Sequence, residues 1–188
     1  MSEPTTVFNN LYDYLSWELM QKGCLRYNDD ISNAEVFDFV SELNWVCSNT
    51  KVDPIEVVFS SGGGGIYAAL GMYDAIKSCG RATAFTFTGL VASAAAMIVL
   101  QAATRRRAHR NTRFLLHEPS RWIFMGVEKA STLRDEAEEM ERLVAIIIGI
   151  LVKRCGKSTV EVRHTIERKE VWMSAQEALV WGLIDEIV

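Results

Sequence analysis

The residue with the clearest chemical potential is Ser93, a lone small polar residue in the alanine-rich stretch Gly89-Leu-Val-Ala-Ser-Ala-Ala-Ala-Met97. Residues 82–88 alternate apolar and polar like a strand, and residues 94–103 are apolar and free of breakers like a buried helix, with Gly89 as the expected corner. A serine at such a corner has an exposed hydroxyl, and the unpaired N–H groups of the helix start can hold an oxyanion. Ser93 is therefore a candidate nucleophile, and a helix N-cap is the alternative.

A histidine at the end of a predicted strand could act as the general base for Ser93. Residues 113–117 (RFLLH) have the pattern of a strand that ends in His117, and Glu118-Pro119 stops it. Because an imidazole titrates near neutral pH and a strand end faces a loop, His117 is a candidate general base. A purely structural histidine is the alternative.

The glycine-rich loop Ser60-Ser-Gly-Gly-Gly-Gly65 lies between a predicted strand and a predicted helix over residues 66–78. Its glycines let the backbone approach a ligand and turn N–H groups outward, so the loop could donate to an oxyanion. No Gly-Lys-Ser/Thr follows it, and no G-x-G-x-x-G occurs in a usable register, so nucleotide binding is not favoured. A flexible tight turn is the alternative.

Composition places these residues in one globular domain. The chain has 188 residues, 49% of them hydrophobic, which is enough for one sizeable core over residues 1–188. Residues 1–22 form an N-terminal helical segment in this prediction. A net charge of -4 argues against a nucleic-acid partner.

Cysteine usage and hydropathy indicate a cytoplasmic protein without metal or membrane segments. Cys24, Cys47, Cys79 and Cys155 are scattered and form no ligand set, which predicts reduced, mostly buried thiols rather than disulfides or zinc. No secretory signal is evident at the start of the chain. The longest apolar run, residues 143–152, is well short of the ~20 residues of a membrane span.

The order of helical and strand patterns predicts repeated βα units around parallel strands. The apolar run 55–59 is typical of a strand buried on both faces. The basic stretch 104–113 is interpreted as a solvated turn between a helix and a strand. A long helix is predicted over residues 128–154, and its apolar end, residues 143–152, suggests burial against another subunit. Ser174 should cap a short helix that Gly182 ends, before a closing strand over residues 183–188.

Several ordered motifs together resemble one family, the proteolytic subunit of Clp protease, over residues 13–188. The matches are Ser61-x-Gly63-Gly64, Gly71-x-Tyr73-Asp74, Gly89-x-x-Ala92-Ser93, His117-x-Pro119, Ser174-Ala-x-Glu-Ala178 and Gly182-Leu-x-Asp185. The resemblance implies an α/β fold of repeated ββα and βα units, of the type shared with crotonases, with a protruding helix for oligomerisation.

The resemblance also implies roles for individual residues. Ser93 would be the nucleophile, His117 the general base, and the N–H groups of Gly64 and Ala94 the oxyanion hole. The family's third residue is an aspartate, and Glu170 stands at the matching position. Glu167, one helical turn earlier, is the reserve candidate for the acid.

The activity that follows is that of a self-compartmentalising serine endopeptidase that cleaves unfolded polypeptides through an acyl-enzyme, without cofactor or metal. The family forms heptameric rings that stack as a tetradecamer and receive substrates from an AAA+ unfoldase, which are the partners the resemblance implies. Two alternatives remain open. One is a catalytically weak or inactive scaffold subunit of the same fold, and the other is a crotonase-type enzyme that acts on acyl-CoA thioesters.

Overall fold

The computed structural model of the protein describes residues 10–119, 130–167 and 169–188. The predicted apolar loop over residues 121–126 and the start of the long helix at residue 128 lie outside these ranges. The described helices, including one π-helical turn called π1, are α1 (Leu11–Gln21), α2 (Asn33–Asn49), α3 (Ile66–Ser78), π1 (Ala95–Val99), α4 (Leu100–Ala102), α5 (Ala130–Cys155), α6 (Thr159–Ile166) and α7 (Ala175–Trp181). The strands are β1 (Cys24–Asn28), β2 (Ile55–Ser61), β3 (Thr83–Ala92), β4 (Arg105–Ala108), β5 (Arg113–His117), β6 (Glu170–Ser174) and β7 (Glu186–Ile187).

The strands form one mixed sheet that is parallel except at one edge. Its main path is β1-β2-β3-β4-β7, and every neighbouring pair on this path is parallel. Strand β5 pairs in parallel with the end of β3, and β6 pairs antiparallel with β5. This mixed α/β arrangement confirms the predicted fold class, although the antiparallel β6 was not anticipated.

Strand β3 pairs with two different strands along its length, and this division brings the residues of the candidate site together. Residues Ala84–Phe87 pair with β4, whereas Leu90–Ala92 pair with β5. Gly89 lies between these two parts with a φ of +59°, where the register with β2 also shifts. A left-handed residue inside a strand bends it, which lets one strand serve two partners. The expected corner at Gly89 was therefore wrong, because the strand continues to Ala92 and turns only at Ser93.

One face of the sheet carries the core. Phe59, Phe85, Phe87 and Phe114 are fully buried and contact one another in series, with ring centroids 5.8–6.3 Å apart. Helices α2 and α3 contact each other, and both supply residues to this core. This burial follows directly from their apolar stripes, since Val36, Phe39, Leu43 and Val46 recur at helical spacing on α2.

The predicted helix boundaries agree well with the structure where capping residues are present. The Ser158 and Ser174 side chains each accept a hydrogen bond from the backbone N–H three residues on, in complete capping boxes. Gly182 ends α7 in a left-handed conformation with a φ of 86°. These local signals decide helix ends without reference to the rest of the fold.

The basic stretch 104–113 is a turn only at residues 110–111, so that prediction was wrong for most of it. Residues Arg105–Ala108 form β4, which lies between β3 and β7 in the sheet. Arg106 is only 5% exposed and pairs with Asp185, and Arg107 pairs with Glu56. The carboxylates that neutralise these arginines are distant in sequence, so the local charge pattern alone indicated solvent.

The single chain covers two further apolar elements only in part. Strand β2 is buried on one face only, because its side chains alternate and Val58 is 38% exposed. In α5, Leu143, Ile147, Ile148 and Leu151 are buried within the chain, where α5 contacts π1 and α6, whereas Ile146 is 47% exposed. Burial of this end against another subunit stays a prediction. All four cysteines are free as expected, but each is partly exposed rather than buried.

In the described ranges, no helix is both long and apolar enough to cross a membrane.

Candidate active site

Ser93 occupies a strained backbone position between β3 and π1. Its φ is 56°, and in the part of the chain that the structure describes it is the one residue other than glycine with a positive φ. The Ser93 N–H donates to the Leu115 carbonyl at 2.9 Å, and the Ser93 carbonyl accepts from the Met97 N–H at 2.9 Å. A left-handed serine costs on the order of 1–3 kcal/mol and marks a functional turn in many proteins. The side chain does not cap the helix, because its hydroxyl contacts His117 instead.

His117 lies within hydrogen-bonding distance of the Ser93 hydroxyl. The distance between His117 Nε2 and Ser93 Oγ is 2.8 Å, and that between His117 Nδ1 and the Glu118 carbonyl oxygen is 2.8 Å. A carbonyl oxygen only accepts hydrogen bonds, so Nδ1 carries the proton and Nε2 is free to accept. This is the tautomer that a general base needs when it takes a proton from serine. Parallel pairing of β5 with the end of β3 holds the two side chains together.

The glycine-rich loop is held in place by backbone contacts with Ile31 rather than forming a flexible turn. The Ile31 N–H donates to the Gly63 carbonyl at 2.7 Å, and the Gly65 N–H donates to the Ile31 carbonyl at 2.8 Å. A Cβ atom on Gly63 would lie 2.6 Å from Ser93 Cβ, and one on Gly64 would lie 2.3 Å from the Ile31 carbonyl oxygen. Both positions also have a positive φ, so glycine is required at each.

Two amides beside the serine are free to bind a ligand atom. Neither the Gly64 N–H nor the Ala94 N–H has a hydrogen-bond acceptor among the described residues. The Ala94 amide is unpaired because it lies in the first turn of a helix. Gly64, Ala94, Ser93 and His117 line one cavity, so both donors face the same space as the hydroxyl. Such a pair of fixed amides can stabilise developing negative charge on an oxygen.

The two candidate carboxylates differ in their position relative to the histidine. Glu170 is the register partner of His117 in the antiparallel β5–β6 ladder, which places both side chains on the same face of the sheet. Glu170 is exposed, and within the described ranges it makes no hydrogen bond to His117. Glu167 follows the end of α6 and belongs to no strand pair. The sheet therefore brings Glu170, and not Glu167, into register with His117.

A mostly apolar cavity of about 530 Å³ adjoins the serine. Besides the four groups above, its lining residues are Gly65, Ile66, Tyr67, Met97, Pro119, Met140, Leu143 and Ile147. Sequence reasoning missed the contribution of α5 to this cavity and interpreted its apolar residues as a subunit contact. The spacing of Met140, Leu143 and Ile147 along one helical stripe was the available signal. An apolar cavity beside a nucleophile can take the side chain of a substrate.

A hydroxyl in contact with an imidazole, beside two unpaired amides at the carboxyl edge of a mainly parallel sheet, is the arrangement that serine peptidases use. Comparison with known proteins narrows this class. Residues 9–188 match the family model of the Clp protease, and the chain belongs to that family.

Individual relatives agree with this assignment. The chain is 28% identical to the ATP-dependent Clp protease proteolytic subunit 1 of Chlamydia muridarum, over 97% of this chain and 94% of that protein. It is 30% identical to the corresponding subunit of Salinibacter ruber, over 99% of this chain and 78% of that protein. Among solved structures, a mutant of ClpP1 from Listeria monocytogenes superposes with a TM-score of 0.81 at 26% identity, over 93% of this chain and 95% of that one.

Proposed function

We propose that this protein is a serine endopeptidase, the proteolytic subunit of a compartment-forming Clp-type protease. The observation that carries the proposal is the 2.8 Å contact between His117 Nε2 and Ser93 Oγ beside the two unpaired amides of Gly64 and Ala94. A crotonase-type thioesterase or isomerase also uses amide pairs, but it has no need for a serine and a histidine in direct contact.

The proposed reaction is acyl transfer in two stages. His117 Nε2 takes the proton of Ser93 as Oγ attacks a peptide carbonyl, and the resulting oxyanion accepts hydrogen bonds from the Gly64 and Ala94 amides. His117 then returns the proton to the leaving amine, which leaves an acyl group on Ser93. Water, activated by the same imidazole, releases the acyl group and restores the hydroxyl.

Glu170 is the proposed acid of the triad. The Glu118 carbonyl already fixes the proton on Nδ1, so the carboxylate would act mainly by stabilising the imidazolium that forms during attack. Its side chain has one methylene more than aspartate and starts directly opposite His117.

The proposed substrate is an unfolded polypeptide. An extended chain could bind by backbone hydrogen bonds beside the glycine-rich loop and place one side chain in the apolar cavity over Met97 and Met140. The relatives are named ATP-dependent, so a separate AAA+ ATPase is the proposed partner that unfolds and delivers substrates. We propose further that the chain is one domain, works as a heptameric ring or a stacked pair of rings, and resides in the cytoplasm.

A fluorophosphonate probe tests the chemistry directly, because it reacts only with an activated serine. We expect labelling of the wild-type protein that disappears in Ser93→Ala and falls at least 10³-fold in His117→Ala. Ser60→Ala is the matched control, since Ser60 lies in the same loop region but donates to the Leu90 carbonyl. An unlabelled, well-folded wild type in its assembled state would favour the inactive scaffold instead.

A further inference from the structure

A series of polar side chains, exposed at Asp185 and buried at Arg106 and Gln101, connects the C-terminal segment to the helix that follows Ser93. It consists of Asp185, Arg106 and Gln101, and it ends on the backbone carbonyl of Ala96 in π1. Gln101 is the one polar side chain between Ala94 and Ala103, and it is fully buried. A buried amide is costly unless it is fully hydrogen-bonded, so its place in an otherwise apolar helix needs a reason.

Gln101 is hydrogen-bonded at both ends of its amide. Its Nε2 donates to the Ala96 carbonyl at 3.1 Å, and its Oε1 accepts from Arg106 Nη1 at 2.8 Å. Since Arg106 can only donate, it fixes the orientation of the amide and leaves Nε2 to face the helix. The side chain therefore holds one particular carbonyl of π1.

Arg106 is in turn held by Asp185. Its Nε lies 3.2 Å and 3.1 Å from the two carboxylate oxygens, and its Nη2 lies 2.5 Å from Oδ1. The backbones also pair, since the Asp185 N–H donates to the Arg106 carbonyl at 2.7 Å. Arg106 has an exposed fraction of 5%, so this guanidinium has little freedom to move. Through these hydrogen bonds, the sheet restrains the position of the Gln101 amide.

The carbonyl that Gln101 holds belongs to the turn that carries the oxyanion donor. Ala94 immediately precedes π1, and Ala96 lies inside it. In a π-helical turn each N–H bonds five residues back rather than four, as the Leu100 N–H does to the Ala95 carbonyl. A change from π to α geometry would alter the twist of this turn and move the Ala94 N–H relative to Ser93.

We infer that Gln101, held by the Arg106–Asp185 pair, is a positioning residue that keeps π1 in its wide geometry and so aims the Ala94 amide at the reacting carbonyl. This inference rests on the proposed function. An oxyanion donor acts only when it is about 2.7–3.1 Å from the charged oxygen, so a small displacement has a large effect on the transition state. Substrate binding along the glycine-rich loop does not depend on Gln101.

The test compares Gln101→Met with Thr112→Val in the full chain. Methionine keeps the length of the side chain and removes the bonds to Ala96 and Arg106, together with the weak contact from Cys155 Sγ to Oε1 at 3.8 Å. Thr112→Val removes another buried side-chain bond, from Thr112 Oγ1 to the Phe87 carbonyl at 2.9 Å, outside the site. With an oligopeptide substrate, we expect Gln101→Met to lower kcat about 10- to 100-fold with KM within about twofold. The affinity for a peptide boronate, which mimics the tetrahedral intermediate, should weaken about tenfold or more. Thr112→Val should retain wild-type kcat.

Two results would overturn the inference: equal kcat values for the two variants when both are folded, or a loss in Gln101→Met that lies in KM. Arg106→Lys lacks the planar fork that reaches Gln101 and Asp185 through different nitrogens, so it should lower kcat by a smaller factor than Gln101→Met does.

Hydrogen–deuterium exchange separates this inference from the proposed function. If wild type shows no Ser93-dependent hydrolysis, the proposed function fails. The inference about π1 is still tested in that case, because it predicts faster amide hydrogen exchange over residues 94–101 in Gln101→Met than in Thr112→Val. Equal exchange in the two variants would refute it.

Discussion

His117 and Glu170 lie directly opposite each other in the antiparallel ladder between β5 and β6, yet His117 Nδ1 donates to the carbonyl of the next residue, Glu118. In a serine triad the acid has two tasks, to fix the tautomer of the histidine and to stabilise its positive charge. The backbone carbonyl of Glu118 occupies the position that fixes the tautomer. In the proposed mechanism, only the stabilisation of positive charge therefore remains for Glu170.

We therefore expect Glu170→Gln to lower kcat by about tenfold, because it removes the stabilising charge but leaves the tautomer in place. This is far less than the ~10⁴-fold loss that follows when the acid alone sets the tautomer. Peptide hydrolysis by the assembled protein measures the effect, and Glu167→Gln is the control that should retain full activity. If Glu167→Gln were the more damaging of the two, the assignment of the acid would be wrong.

Gly64→Ala should destabilise the fold by about 2 kcal/mol or more. The new Cβ would lie 2.3 Å from the Ile31 carbonyl oxygen, and the φ of 146° is unfavourable for alanine. Gly65→Ala is the matched control, because its φ is -64° and its nearest neighbour would be 3.6 Å away. Urea unfolding of both variants measures the difference, and equal midpoints would contradict the geometry of this loop.

Asp185 should make the stability of the protein depend on pH in the acid range. Burial favours the neutral carboxyl, but hydrogen bonds from the side chain and backbone of Arg106 outweigh it and lower the pKa of Asp185. A depressed pKa stabilises the fold above the unfolded-state value, about pH 4, and this contribution is lost as pH falls through the folded value. Asp185→Asn should therefore be less stable than wild type at pH 7, by about 1 kcal/mol because the carboxylate is 44% exposed and partly screened by solvent, and this difference should narrow below about pH 4.

Unfolding in urea between pH 7 and pH 3 checks this expectation, and Asp74→Asn on the exposed side of α3 is the control. If the stability difference between wild type and Asp185→Asn widened toward acid pH, the predicted direction of the pH dependence would be wrong.

Ring formation should cover the open face of the sheet. Parallel strands are normally covered on both faces, whereas β2 exposes Val58 on one of them. By native mass spectrometry we expect a species of about 148 kDa, seven times the 21.1 kDa chain, or twice that mass for stacked rings. Val58→Glu should dissociate it, while Val160→Glu, at a 77% exposed site on α6, should not. A wild-type monomer at micromolar concentration would contradict the ring.

The elements around the site were predictable to different degrees. Local signals are enough where a side chain bonds within its own turn. Ser158 and Ser174 begin helices, and Gly182 ends one, where the pattern predicts. Arg106 was misinterpreted because its carboxylate partner is 79 positions away in sequence. Gly89 was misplaced as the corner because a left-handed glycine indicates a bend without saying whether the strand resumes.

The sequence by itself determined the α/β order, the identities of Ser93 and His117, and the need for glycine beside them, since these depend on residue type and short spacing. Only the tertiary structure decided that β3 divides between two partners, that α5 forms a wall of the cavity, and that Glu118 rather than Glu170 holds the histidine proton. Those three features depend on which distant segments meet across the sheet. Long-range pairing of this kind leaves almost no local trace in the chain, because a short apolar or alternating pattern predicts a strand or helix without specifying its partner.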